Sequence, residues 1–510
     1  MEKSLAEQFG FLRSFFWPIH RHEFKKFIPM FLMLFLICFS YGILRTLKDT
    51  LIITASGAKV LPYIKLWGIV PIAILLTYIF TKLTNFFSQE RIFYIITSSF
   101  LGFFLLFAFV LYPLRDSLHP YESAIYLQKI LPNAFAGLIE LYKNWTLSLF
   151  YVIAELWSSL VLSTLFWGLA NEVTKMKEAK RFYGVFGISS NLAALVVGVA
   201  GNALAYSISG SWDNTVKIFI ITVTICGLIT MALFRWEIKK VLTAKNYPNL
   251  HKVTSRSSKK AKPSLKESFK LLSGSKYLSY IAILMVSYNL VVNLMDVVWK
   301  DRLHTLCPGP QDFNYYMNNV TSMIGLLSLI LTLFIPRMIE RMGWTKTALI
   351  TPISMMITGA GFFSFLIFGK LPVSMLTTAM TPLAIAVFFG GMQNCLSKAA
   401  KYSVFDSTKE MTFIPLDHET KLRGKAPIDV VGARVGKAGG SLIFQTLLIF
   451  LKTIADCIPF IAIIFALVMT FWISATRNLG KMFNSLVQSQ DEEETLAEEI
   501  EPAAEVVAST

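Results

Sequence analysis

Runs of about twenty mostly apolar residues recur along the whole chain, and no other feature constrains the fold as tightly. A helix rises about 1.5 Å per residue, so crossing a bilayer takes about 20 such residues. Read by run length, about twelve spans lie near 27–44, 62–81, 92–112, 146–170, 184–206, 216–235, 277–299, 319–336, 348–369, 374–396, 436–454 and 457–476. Soluble domains carry roughly 25% charged residues. Here 16% are charged and 54% hydrophobic, and the apolar residues are gathered in blocks rather than spread on amphipathic faces. The reading excludes a large soluble core and predicts an all-α integral membrane protein of about twelve transmembrane helices.

The formal charge is +16 over 510 residues, but its distribution argues against a nucleic-acid face. Asp491 to Glu505 holds eight acids and no base, which leaves the rest of the chain near +24. The bases sit in alternate loops, at Lys175 to Arg181, at Arg337 to Lys346, and most densely over 235–276. By the positive-inside rule those loops and both termini are expected in the cytoplasm, and the charge-poor loop at Pro308 to Asp312 on the other side. The five cysteines are scattered without a CxxC pair, so neither a disulfide framework nor a metal site is expected. Met1 to Phe27 has no signal-peptide or transit-peptide pattern.

The segment 235–276 is polar and basic and reads as a linker between two groups of six spans. The expected organisation is a cytoplasmic N-terminus over 1–26, a six-helix bundle over 27–234, the linker over 235–276, a second bundle over 277–480, and an acidic disordered tail over 481–510. A major-facilitator-like six-plus-six bundle places a substrate site near the midplane and works by alternating access.

Two acids stand where acids are costly. Glu155 and Asp296 lie inside apolar segments, in Ala154-Glu155-Leu156-Trp157 and Met295-Asp296-Val297. A carboxylate at membrane depth costs several kcal/mol unless it meets a partner or a wet cavity. Both acids are therefore expected to line a pathway. The candidate cations are Lys48, just past the first span in Leu47-Lys48-Asp49-Thr50, Lys65 at the start of the second, and Lys437, entering the eleventh in Gly436-Lys437-Ala438-Gly439-Gly440. Glycines around Lys437 permit close helix approach, and a Gly-Lys run at a helix start suits an anion. It is not a Walker A loop, because Ala438 follows the lysine and no strand precedes it. Lysines near span ends often only anchor the helix at the interface, and intramembrane acids often serve a structural partner; polar or small neighbours favour a functional role for Lys48 and Lys437. Fixed cations and carboxylates together point to an anionic substrate, or to a proton- or ion-coupled one. Spacing leaves the anion open.

Several segments carry a resemblance further. They include Phe16-Trp17-Pro18, Ala154-Glu155-Leu156-Trp157, Phe166 to Glu172 with Asn171, Glu178 to Tyr183, Gln393-Asn394, Lys398 to Tyr402 and Gly424-Lys425-Ala426. In this order, from about Phe11 to about Leu479, the chain resembles the ATP/ADP translocase family, the nucleotide transporters of obligate intracellular bacteria and of plastids. The resemblance implies transport of nucleoside phosphates without hydrolysis, hence a secondary transporter with no cofactor and not an enzyme. Its partners would be nucleoside triphosphates and diphosphates, protons or phosphate as coupled species, and membrane lipid, with no nucleic acid. Without a transit peptide it looks like the bacterial form, in the inner membrane. Carried over residue by residue, the substrate-binding positions are Lys48, Glu155, Asp296 and Lys437, with Arg45, Asp49, Lys65 and Asn171 as secondary candidates. The carboxylates would pair with the lysines when the site is empty.

The chain departs from the family pattern at Thr46, where an acid is usual, at Asp296, where Glu is usual, and at Ala438, where a serine or its equivalent follows the lysine. A lost acid beside Lys48 would free positive charge. The expectation is therefore import of nucleoside triphosphates by counter-exchange or with protons. The alternatives are strict ATP/ADP antiport and proton-driven uptake of a single non-adenine nucleotide such as UTP or GTP. A membrane-embedded enzyme lacks support, since no HExxH, paired-carboxylate metal motif or Walker A site is present, and a receptor or scaffold gives no reason for intramembrane acids.

Overall fold

The computed structural model describes residues 17–174, 176–207, 210–241, 274–369, 381–416, 428 and 432–508. Every regular element among them is helical. The principal helices are α1 (Phe24–Ser56), α2 (Val70–Phe86), α3 (Gln89–Leu106), α4 (Trp145–Trp157), α5 (Met176–Ser207), α6 (Trp212–Lys240), α7 (Lys276–Leu306), α8 (Pro310–Phe368), α9 (Pro382–Ala400), α10 (Ala433–Leu451) and α11 (Ile454–Ala508). Helix α8 contains two spans and bends at Gly343, whose φ of 75° is open only to glycine without strain. Ten helical stretches among the described residues are long and apolar enough to cross a membrane. The expected tenth and eleventh spans fall on α9 and α10, which are 19 residues each. The chain is thus a multi-pass, all-helical membrane protein.

Two boundaries differ from the sequence reading. Helix α1 does not end near residue 44; it continues to Ser56, so Lys48 and Asp49 lie within it. The acidic stretch from Asp491, expected to be disordered, continues α11 as helix. The basic linker at 242–273 lies outside the described residues.

The chain divides into two compact units. The first comprises Met1–Lys259, Val297–Leu329 and Gln445–Ile454; the second comprises Lys260–Asp296, Ile330–Phe444 and Ala455–Thr510. One boundary, Lys259/Lys260, falls in the basic linker, and others fall inside α7, α8 and α10.

In the first unit α1 is the central element, with α4, α5 and α6 against it. Lipid tails are as apolar as leucine, so helices associate through close packing and hydrogen bonds rather than through a hydrophobic driving force. Small residues supply the approach. A side chain at Gly42 would strike Val197 of α5, one at Gly227 would strike Leu101, and one at Gly325 would strike the backbone of α5 at Leu195. Aromatic rings fill the rest: Phe27 stacks on Phe186 at 5.3 Å and Phe93 on Phe234 at 4.0 Å. Near the start of α1, Lys26 Nζ donates to Glu178 Oε2 at 2.7 Å, and Arg181 holds Glu23 through both guanidinium nitrogens. These pairs give the Glu178 to Tyr183 segment a bracing role.

Glu237 of α6 is fully buried, and neither of its carboxyl oxygens has a hydrogen-bond partner among the described residues. A buried acceptor left unmet costs about 1–3 kcal/mol. Glu237→Gln keeps the shape and removes a charge that no donor meets. Its expected result is a melting temperature in detergent equal to or above that of the parent protein. A fall of several degrees would show that the carboxylate is held by charge instead.

The second unit uses the same devices. Gly359 and Gly361 lie against Phe465 and Phe389, and Gly480 against Thr345. Tyr288 of α7 stacks on Phe405 at 5.1 Å and meets Trp472 edge-on at 6.1 Å. The Tyr277 hydroxyl and the Trp344 indole donate to the carbonyls of Thr412 and Thr408.

Candidate functional site

The first unit gathers four charged side chains, Lys48 and three others. The Lys48 ammonium lies 3.0 Å from Asp49 Oδ1 and 3.3 Å from Glu155 Oε2, and sits 3.7 Å above the Tyr151 ring. The second oxygen of Asp49 accepts from Lys300 Nζ at 2.9 Å. Asp49 thus bridges two lysines, one oxygen to each. Lys48, Asp49 and Lys300 are 3%, 1% and 4% exposed, while the Glu155 side chain is 30% exposed. Among these four groups, two cations and two anions balance. Charges this dry persist only when paired and hydrogen-bonded.

The helices explain the convergence. Tyr151 and Glu155 are one turn apart on α4, so both face the Lys48 stripe of α1. Immediately after α4 comes a nine-residue π-helix, Ser158–Phe166. Shorter π-helices cover Ile64–Ile69, which includes Lys65, and Lys401–Phe405, just after Lys398. π-Turns are rare and are frequent at functional sites. Each widens the helix and turns the following residues onto a different face.

A polar ladder continues from the cluster. The Thr50 hydroxyl donates to the Thr46 carbonyl and accepts from Asn314 Nδ2 at 3.1 Å. Asn318 donates to Asn314 at 3.0 Å and to Asn202 at 3.1 Å, and Asn202 donates to Asn319 at 2.7 Å. One turn beyond Lys48, a cavity of about 310 Å³ opens among Leu51, Thr54, Arg115, His119, Trp212 and Pro310. Its charged groups are Arg115, Asp116 and Asp213, with Arg115 3.5 Å from Asp213. Acids outnumber bases, so this cavity does not suit a polyphosphate. His119 bonds Thr146 through Nε2 at 2.7 Å, and burial holds its pKa below the ordinary value.

The second unit holds Asp296 and Lys437. Asp296 of α7 is 7% exposed, and the cation seated beside it is Lys398 of α9 at 3.9 Å. The Lys437 side chain is exposed, and its tie to α7 is through backbone: Asn293 Nδ2 donates to the Lys437 carbonyl at 2.8 Å and to Ser441 Oγ at 3.0 Å. The glycines around Lys437 act as predicted from their size, since a side chain at Gly436 would strike Asn289 and Val286, and one at Gly440 would meet Asn293.

Among the secondary candidates, Asp49 joins the cluster, and Arg45 and Lys65 are half-buried. Asn171 accepts from the Tyr183 hydroxyl at 2.6 Å. Thr46 is buried with its hydroxyl turned to the Ile43 carbonyl of its own helix. Asp49 and Glu155 lie beside Lys48 with no acid at position 46. Lys300 and Tyr151 were missed as site residues. Lys300 lies just past the expected seventh span, 277–299. Its signal was the spacing of Asn289, Asn293, Asp296 and Lys300, which forms one polar stripe on a helix.

Residues 2–483 match the sequence model of the TLC ATP/ADP transporter family. The chain is 43% identical over 511 residues to "ADP,ATP carrier protein 1" of Chlamydia pneumoniae, covering 98% of this chain and 99% of that protein. It is 44% identical over 509 residues to "ADP,ATP carrier protein 1" of Chlamydia trachomatis, covering 98% and 96%. To "ADP,ATP carrier protein 1" of Rickettsia typhi it is 39% identical over 489 residues, covering 94% and 97%. Among solved structures, a bacterial homologue of the iron transporter ferroportin in an inward-facing state superposes with a TM-score of 0.55 at 13% identity, covering 91% and 100%. A D-xylose-proton symporter gives 0.52 at 14%, covering 89% and 97%. At such identities the likeness is one of fold, the major-facilitator type of transporter.

Proposed function

This chain belongs to the TLC ATP/ADP transporter family, so it is a nucleotide transporter and not an enzyme, and we propose on that premise that it exchanges ATP for ADP across a bacterial cell membrane. The direction proposed is ATP inward, with both termini and the basic linker in the cytoplasm, as the loop charges suggest. Relatives named as ADP,ATP carriers at 38–44% identity support adenine nucleotides over the broader triphosphate import suggested by the departures at Thr46, Asp296 and Ala438.

The observation that carries the reading is the neutral cluster at Lys48. An ammonium this buried always needs an anion. In this structure Asp49 and Glu155 supply it. A phosphate chain arriving at Lys48 takes over that role, and Glu155, the more exposed carboxylate, is the one that gives way. The substrate therefore trades partners with the protein instead of meeting a bare charge, which lowers the desolvation cost of binding. It also gives exchange a physical basis. Without nucleotide, the lysine stays locked to its carboxylates and the helices stay tied. Lys398 beside Asp296 and the exposed Lys437 are the further cations proposed to meet phosphate in the second unit.

The test is uptake of labelled ATP, GTP, CTP and UTP by intact cells or proteoliposomes holding the full chain. ATP uptake is expected to rise on preloading with ADP or ATP, to exclude the other bases, and to ignore a protonophore. Uptake of several triphosphates that collapses with the proton gradient would replace strict exchange with the broader, proton-coupled reading.

A further inference from the structure

Helix α9 presents a polar face inside an otherwise apolar second unit. Gln393, Asn394, Ser397 and Lys398 lie within about 140° of one another at 100° per residue. That face meets α7: the Ser397 carbonyl accepts from the Tyr288 hydroxyl at 3.4 Å, and Lys398 reaches Asp296. Gln393 and Asn394 are 2% and 3% exposed. Yet Gln393 Nε2 and Asn394 Oδ1 have no hydrogen-bond partner among the described residues. One is an orphaned donor and the other an orphaned acceptor, on consecutive residues. Each unmet buried group costs about 1–3 kcal/mol, so keeping two side by side is unfavourable unless something completes them.

The missing partner must offer an acceptor next to a donor. Phosphate offers only acceptors, and lipid tails offer neither. The edge of an adenine offers the match: a ring nitrogen accepts, and the adjacent exocyclic amino group donates. Amide side chains are the usual readers of that edge. Lys398, one turn along the same face, is placed to meet the negative end of the same molecule.

We propose that Gln393 and Asn394 read the base of the transported nucleotide, with Gln393 Nε2 donating to a ring nitrogen and Asn394 Oδ1 accepting from the 6-amino group. This rests on the nucleotide-transport reading above and adds to it the residues that read a ring nitrogen beside an amino group, a pattern that adenine shares with cytosine and that uracil lacks. A site built to hydrogen-bond a group rejects an analogue lacking it, because its own buried group is left unpaired.

The experiment uses the purified full-length protein, by transport in proteoliposomes and by ligand-induced stabilisation in detergent. The second readout still reports on a variant that binds but does not transport. The probes are ATP, purine riboside triphosphate (which lacks the 6-amino group), 1-deaza-ATP, 7-deaza-ATP and 2′-deoxy-ATP. The parent protein is expected to prefer ATP over purine riboside triphosphate by about 10-fold. Asn394→Leu is expected to bring that ratio to within about twofold by weakening ATP alone. Gln393→Leu is expected to erase discrimination against whichever deaza analogue the parent rejects. If a leucine variant does not reach the membrane, Asn394→Ala and Gln393→Ala carry the same measurements. An unchanged ratio in variants that still bind ATP overturns the proposal. So does a change confined to 2′-deoxy-ATP, which would place the ribose at these amides. A parent protein that neither transports nor is stabilised by any nucleotide would instead remove the transport reading on which the proposal stands.

Discussion

Lys48→Ala is expected to cut ATP/ADP exchange by at least about 100-fold while the protein still reaches the membrane. Truncating one partner of a buried charge pair costs about 3–5 kcal/mol, because the other charge is left uncompensated. Here two carboxylates lose a shared cation at 3.0 and 3.3 Å, and a phosphate chain loses its counter-charge. Lys48→Arg should restore little. The ammonium is a compact charge seated 3.7 Å above the Tyr151 ring, and a planar guanidinium does not fit between that ring and two carboxylates in the same way. The double variant Lys48→Ala, Glu155→Gln separates folding from transport. Removing the stranded carboxylate should recover much of the thermal stability, and none of the exchange. Recovery of both together would make Lys48 a structural strut, and normal exchange in Lys48→Ala would end its assignment to phosphate.

Hydropathy made the helices legible but not their ends. The first apolar run stops at about residue 44 because Arg45, Lys48 and Asp49 follow, whereas α1 runs on to Ser56. Charges end a hydropathy window whether or not they neutralise one another, and Lys48 and Asp49 do. The expected seventh span likewise stops at 299, just before Lys300, although α7 continues to Leu306. Glu155 and Asp296 were legible as acids in the wrong solvent, and Lys48 as a cation bracketed by polar residues. Which cation meets which acid was not, since pairing depends on how helices rotate against one another. The rotation here is altered by π-helical turns after Glu155 and Lys398. An i→i+5 hydrogen bond changes the face of a helix without changing its composition, so nothing in the sequence displays it. The orphaned amides of Gln393 and Asn394 were visible only as matching letters; their burial and lack of partners give those letters a physical meaning.

Lys300 should govern how the site tells ATP from ADP. With Lys300 present, the cluster of Lys48, Asp49, Glu155 and Lys300 is neutral, and Asp49 is divided between two lysines. Lys300→Ala leaves a net negative charge within a few ångströms of the place proposed for phosphate. It also releases Asp49 to hold Lys48 more firmly, in competition with substrate. Both effects raise KM, and Coulomb repulsion falls harder on ATP, which carries about one negative charge more than ADP. The expected result is a rise of at least about 10-fold in KM for ATP, a smaller rise for ADP, and hence a shift in the ATP-to-ADP preference toward ADP. Adding Asp49→Asn restores neutrality without restoring the lysine. It is expected to recover a large part of the lost ATP affinity, giving strong coupling between the two substitutions. Initial rates of exchange measured for each nucleotide outside, at fixed nucleotide inside, provide the numbers. Equal rises in KM for ATP and ADP, or simple additivity of Lys300→Ala and Asp49→Asn, would show that Lys300 only ties α7 to α1 and takes no part in reading the charge of the substrate.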